Sequence, residues 1–135
     1  MSTDLEARAR AAQQHAYAPY SKFKVGVALR MSGKVFEGTN VENASYPLSV
    51  CAERNAIAVA VAAGARRVTA VAVASGARPP ASPCGACRQV LAEFAAPEAA
   101  VFIAGPRGAP TQTTVGDLLP LTFSLAPRPT SRRRR

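Results

Sequence analysis

The sequence predicts an α/β layered fold built on a mixed sheet, and three observations lead there. Strand-like and helical segments alternate through most of the chain, two strand-like segments follow one another near its start, and no repeat or linker divides it. Alternating strands and helices imply parallel pairing with helices laid on the sheet, because a parallel crossover must span the sheet and a helix does so. The adjacent pair reads as an antiparallel hairpin, which makes the sheet mixed.

Residues 3–16 are rich in Ala, Arg and Gln, with Thr3 as N-cap and Glu6 three residues on, a capping-box pattern; Pro19 stops this helix. The segments "FKVGVALRM" and "VFEGTNV" alternate in polarity around "SGK" and form the hairpin. Residues 49–63 come next as a helix, with Gly64 at its C′ position. Apolar residues cover every side of it, which predicts burial all round. "RVTAVAVAS" is a β-branched strand, and "ASPCGACRQVLAEFA" is a loop that runs into a helix. "AAVFIAG" supplies another strand and "TVGDLLP" a short helical turn, with further strand expected after Phe123.

At 135 residues the chain has one domain's length, and folding at this size buries roughly two thirds of the unfolded surface. Hydrophobic residues at 48% and charged residues at 19% mark globular material. The longest apolar runs fall short of the roughly 20 residues that cross a bilayer, and "MSTDLEARARAAQQHA" has acids and no apolar core of a signal peptide. The expected address is the cytoplasm, and no membrane partner is expected. The net charge of +9 is partly local: without Arg128 and Arg132 to Arg135, twelve basic residues face eight acids, a balance of +4. Residues 1–127 are therefore expected to form the domain and 128–135 a disordered, basic tail. No aromatic residue interleaves with those arginines to stack bases, so nucleic acid is not the expected partner, beyond non-specific anion contact.

Three cysteines, Cys51, Cys84 and Cys87, make a poor disulfide framework and point to metal or redox chemistry. His15 is the sole histidine, distant in sequence, and reads as a packing or surface residue. Cys84 and Cys87, at i and i+3 where a helix begins, face one point; Cys51 begins the other helix. Two helix N-termini aimed at one place favour thiolates. Three thiolates suit zinc, and three protein ligands leave a tetrahedral position open, the pattern of a catalytic site. Glu53 shares the first turn after Cys51 and can reach that position as general acid and base. Three thiolates overcompensate the charge of Zn²⁺, and the Arg54 guanidinium, bonded to thiolate sulfur, would offset part of that. Taken alone, Glu53 and Arg54 would be a surface ion pair in a first turn. A redox C-x-x-C would leave Cys51 and Glu53 without a purpose, and a closed structural zinc site lacks a fourth ligand.

With "CAE" at 51–53 and "PCGAC" at 83–87, the sequence resembles the cytidine deaminase family, in its small form with three cysteine ligands. The resemblance extends over "AYAPYSKFKVGVAL", "FEGTNVENASYPLSVCAERNAI", "SPCGACRQVLAEF" and "LLPLTF", from about residue 16 to residue 123. It implies a three-layer α/β/α sandwich on a mixed five-stranded sheet. It also implies one zinc per subunit and hydrolytic deamination of cytidine and deoxycytidine in pyrimidine salvage. Water activated at the zinc adds to C4 of the pyrimidine, Glu53 protonates N3 and then the departing amine, and ammonia leaves. The Ala52 N–H and the carbonyl near Ser82 would hold the base edge, Phe23 would pack on the base, and Asn40 and Glu42 would bind the sugar hydroxyls. Without that context Asn40 is a turn residue, Glu42 a solvated acid and Phe23 a core residue. The resemblance further implies a homotetramer with shared active sites. In it Phe123 is donated across an interface beside the Ala44–Tyr46 segment, and Gln89 helps to hold the thiolates. The chain departs from the family pattern after Phe123, where "SLAPRPTSRRRR" replaces a short ordered segment. A deaminase of another cytosine-bearing molecule, such as blasticidin S, and a nucleic-acid editor using the tail are the competing readings.

Overall fold

The computed structural model describes residues 2–125; the expected tail, and the boundary drawn at 127, lie outside them. Helix α1 covers Ser2–Gln13, so Thr3 lies within the helix and not ahead of it. Strands β1 (Val25–Met31) and β2 (Lys34–Thr39) form the expected hairpin. Ser32 and Gly33 both adopt left-handed backbone (φ 50° and 81°), the two-residue turn whose twist matches paired strands. A single 3-10 turn, Tyr46–Leu48, leads to α2 (Ala52–Ala62), after which Gly64 has φ 96° as a helix C′ residue. Strand β3 (Val68–Ser75), helix α3 (Gly85–Phe94) and strand β4 (Ala95–Ala104) make one crossover unit. Strand β5 (Thr111–Thr114) and the short α4 (Val115–Leu118) complete the order.

The strands form one sheet in the order β2-β1-β3-β4-β5. Only β3 and β4 run parallel, joined through α3; the β2/β1, β1/β3 and β4/β5 pairs are antiparallel. Side chains alternate across the sheet and separate two cores. Leu5 and Ala9 of α1 pack on Ala28, Ala72, Ala74 and Phe102 on one face. On the other, Ala56, Ile57 and Ala60 of α2, Leu91 of α3 and Val115 of α4 meet Val27, Leu29, Val71, Val101 and Ile103. The result is a three-layer α/β/α sandwich on a mixed five-stranded sheet. Its helices come unusually near the sheet at two glycines. A Cβ on Gly26 would lie 2.1 Å from the Ala9 carbonyl oxygen, and one on Gly38 would lie 2.6 Å from that of Ala52.

Three local expectations change. The expected strand after Phe123 does not form among the described residues, and the fifth strand is Thr111–Thr114. Four polar residues on a sheet edge carry no apolar alternation, so the segment gives no strand signal. Helix α2 begins at Ala52, with Cys51 as N-cap, while Val50 bridges Val41 in extended backbone. Nor is α2 buried all round: Ala52, Ala56, Ile57 and Ala60 are buried, but Ala58 is exposed and Val59 is 53% exposed. An outer-layer helix meets the sheet along one stripe, and composition does not say what covers the rest.

Candidate active site

Cysteine geometry follows from the starts of two helices. Cys51 and Cys84 are the N-caps of α2 and α3, both in extended backbone, and neither side chain caps its helix. Cys87 lies one turn into α3. All three Sγ atoms fall within 4.8 Å of one another, and those of Cys84 and Cys87 are 3.4 Å apart. Cys87 is buried, Cys51 half-buried and Cys84 exposed.

Their acidities differ for physical reasons. Burial pushes the Cys51 thiol up from its ordinary value of 9, and pushes Cys87 far above it, with the neighbouring Glu53 charge adding to Cys87. Burial also resists ionisation of Cys84, but the N–H groups of Cys87 and Ala86 and the adjacent thiols outweigh it, and its pKa falls. Three thiolates and a carboxylate in one corner repel one another unless a cation joins them. Zinc with ~2.3 Å bonds to sulfur sets tetrahedral thiolates ~3.8 Å apart, so this all-sulfur cluster fits that metal.

Glu53 stands beside the thiols and is only 5% exposed. Burial raises its carboxyl pKa above the ordinary 4.5, partly countered by its own backbone N–H and the Cys87 thiol. The thiols and Glu53 line a cavity of about 180 Å³ together with Phe23, Asn40, Ala52 and Ser82. Sequence reasoning had singled out every one of these. Val25, Val73, Ser75 and Ala81 complete the lining and were not foreseen. Ser75 carried one usable signal, its place at the carboxyl end of a parallel strand, where ligands of α/β sheets gather.

Asn40 is held at both ends of its amide: Nδ2 donates to the Phe23 carbonyl (2.8 Å), and Oδ1 accepts from the Val25 N–H (2.8 Å). Phe23 is 41% exposed. Glu42, although 7% exposed, does not line the cavity; its carboxylate accepts from the N–H groups of Tyr20 (3.0 Å) and Ser21 (3.1 Å) and from the Ser21 hydroxyl. The Ser21 hydroxyl, with the two N–H groups, holds the Glu42 carboxyl below its ordinary value, against some desolvation.

Three further expected residues also lie off the lining. Arg54 is exposed, and its guanidinium makes no hydrogen bond among the described residues, to thiol or otherwise. Gln89 does not reach the thiols: its Nε2 donates to the Phe123 carbonyl at 3.2 Å. Phe123 is 68% exposed, and Tyr46 on the neighbouring segment 61%. One residue went unforeseen at the metal corner. Arg88 donates through Nε to the Pro83 carbonyl (2.7 Å), through Nη1 to that of Leu118 (2.8 Å), and through Nη2 to Ser82 Oγ (2.8 Å). A guanidinium directly after Cys87 was its only signal.

Residues 2–103 match the family model for the cytidine and deoxycytidylate deaminase zinc-binding region. A cytidine deaminase of Sporosarcina psychrophila is 46% identical over 121 residues, 89% of each chain. The crystal structure of cytidine deaminase from Burkholderia pseudomallei superposes with a TM-score of 0.87 at 49% identity, covering 91% of this chain and 99% of that one. That of cytidine deaminase from Mycobacterium tuberculosis gives 0.77 at 39% identity, covering 91% and 97%. Sequence motif, sheet order and the thiol cluster agree, and this chain belongs to the cytidine and deoxycytidylate deaminase family.

Proposed function

We propose that the chain is a zinc-dependent hydrolase that converts cytidine and deoxycytidine to uridine and deoxyuridine with release of ammonia. The observation that carries this reading is a buried Glu53 beside three clustered thiols, in one cavity with an aromatic ring and an amide. Relatives named cytidine deaminase cover most of the chain, which supports the same substrate.

Cys51, Cys84 and Cys87 would hold one zinc per subunit. Bound there, zinc supplies the Lewis acidity that makes water a nucleophile near neutral pH. Glu53 would take one proton from the attacking water and deliver it to N3 of the pyrimidine, then pass the second water proton to the leaving amine. The carbon–nitrogen bond at C4 breaks, ammonia departs, and the water oxygen stays as the new carbonyl. Burial suits Glu53 to this work, because a carboxylate with a raised pKa takes the proton more readily and holds it until N3 or the amine accepts it. As the first residue of α2, Ala52 has an N–H with no partner inside its helix, and this N–H meets the base edge together with the carbonyl near Ser82.

Asn40 retains one amide hydrogen and one lone pair for a sugar hydroxyl, and Glu42, with about four acceptor positions and three in use, retains one. Either sugar offers a 3′-hydroxyl to this pair, so both nucleosides are substrates. Phe23 packs on the base. The exposed apolar residues Val59, Tyr46, Leu48 and Phe123 support a homotetramer in which Phe123 of one subunit closes the site of another. Arg54 then bonds thiolate sulfur in the zinc-loaded assembly, and Gln89 sets the carbonyl of Phe123. Among the described residues no helix is long and apolar enough to cross a membrane, and the reaction fits pyrimidine salvage in the cytoplasm.

Ammonia release from cytidine by the purified protein, measured alongside Glu53→Gln with zinc assayed in both, tests this reading. Activity lost by a factor of about 10² or more in a variant that keeps its zinc supports it and gives Glu53 the proton transfer. A zinc-loaded parent inert on cytidine and deoxycytidine sinks it and directs attention to modified cytosine substrates.

A further inference from the structure

Phe23 lines the cavity with 41% of its surface exposed, so packing alone does not fix the ring. It also follows Lys22, whose backbone is left-handed (φ 64°), a conformation a lysine keeps only when its neighbours enforce it. What enforces it is a set of hydrogen bonds from both sides. The Phe23 carbonyl accepts from Asn40 Nδ2, and the Phe23 N–H donates to Ser21 Oγ at 3.0 Å. The Ser21 hydroxyl in turn donates to the Glu42 carboxylate, which also accepts from the N–H groups of Tyr20 and Ser21. A hydroxyl that donates to a carboxylate is a stronger acceptor for the next donor, because bonds in a chain polarise one another.

We propose that Ser21 is a positioning residue for the substrate wall: its hydroxyl passes the anchoring of Glu42 on to the backbone of Phe23 and so sets the ring against the base. This rests on the deaminase reading, in which Phe23 touches the pyrimidine. Glu42 reaches the base through Ser21 as well as reaching the sugar directly. Ser21→Ala leaves the Tyr20 and Ser21 N–H bonds to Glu42 in place and removes only the hydroxyl relay. The ring it loosens meets substrate equally in the ground and transition states, so the loss appears in KM.

The test compares the parent, Ser21→Ala and Ser21→Thr for kcat and KM on cytidine, for bound zinc, and for hydrogen exchange of the Phe23 amide in the zinc-loaded protein without substrate. The expected result for Ser21→Ala is a five- to tenfold rise in KM, of the order one lost hydrogen bond gives, with kcat within about twofold. Zinc content should stay at the parent level and the Phe23 amide should exchange at least about tenfold faster; Ser21→Thr, which keeps a hydroxyl, should return both readings toward the parent. An unchanged KM, a fall in kcat without a rise in KM, or a threonine variant no better than alanine overturns the proposal. An inert parent overturns the deaminase reading and this role with it. An active parent whose Phe23 amide exchanges at the same rate in Ser21→Ala overturns the role of Ser21 alone.

Discussion

The thiols of the metal corner ride on the starts of α2 and α3, two helices that lie on one face of the sheet. Phe23 and Asn40, by contrast, ride on chain that joins or leaves strands, and side-chain bonds to backbone hold them. In the first region secondary structure itself sets the geometry: i and i+3 in a helix bring Cys84 and Cys87 together whatever surrounds them. In the second, each contact is an individual bond, and all but the one from Phe23 to Ser21 join residues 15 to 22 apart in sequence. The thiol cluster therefore belongs to the rigid layer of the fold, while the proposed substrate wall belongs to a surface that single side chains tune.

The strongest way to break this division is at the metal. Cys87→Ala removes the most buried thiol, and metal analysis of the purified protein should find no stoichiometric zinc and activity below about 1% of the parent. Arg88→Ala sharpens the comparison by asking whether the metal corner also leans on single bonds. It releases the loop before Cys84 and the end of α4 together, and zinc affinity, titrated against a competing chelator, should fall about 10- to 100-fold. Gly38→Ala attacks the rigid layer from beneath, since the new Cβ would press on the backbone at Ala52 and Ala56. Urea unfolding should show a loss of about 1–3 kcal/mol, and zinc affinity should fall with it.

The smallest effect lies in the tuned region. Because bonds to Ser21 hold the folded Glu42 carboxyl below its ordinary 4.5, the stability it confers is full above that value. It is lost as pH falls through the lower, folded value. The stability difference between the parent and Glu42→Gln, both stripped of metal and followed by urea unfolding, should narrow on acidification below about pH 4.5. A difference that stays constant with pH would mean that the Glu42 bonds add nothing as a charge.

How much was legible follows the same division. "CAE" and "PCGAC" are readable because helical periodicity converts spacing into position, and the alternation in "FKVGVALRM" assigns faces to β1 for the same reason. The clamp around Phe23 left no such trace. Apart from the Ser21 hydroxyl, its partners are backbone atoms of residues 20, 21, 23 and 25, which carry no signature of residue type. Gln89 and Arg88 show how fine the limit is. Both follow Cys87 in one helix, yet their side chains end on the carbonyls of Phe123 and Leu118, which only the tertiary fold brings near. The outer stripe of α2 marks a different limit, since apolar residues under a sheet and apolar residues left for another chain look alike in a sequence.

The crossover from β3 through α3 to β4 also bears on the order of events in time. Cys51 enters from one side of β3 in sequence and Cys84 with Cys87 from the other, and β3 pairs with β1 and β4 on its two edges. Until the centre of the sheet has formed, the chain offers zinc two thiols at most in one place, and a parallel pair is slow to form. High-affinity metal capture is then a late step on the folding path. A free-zinc dye present during refolding would read its completion as a clock, with quenching that lags the gain of helix.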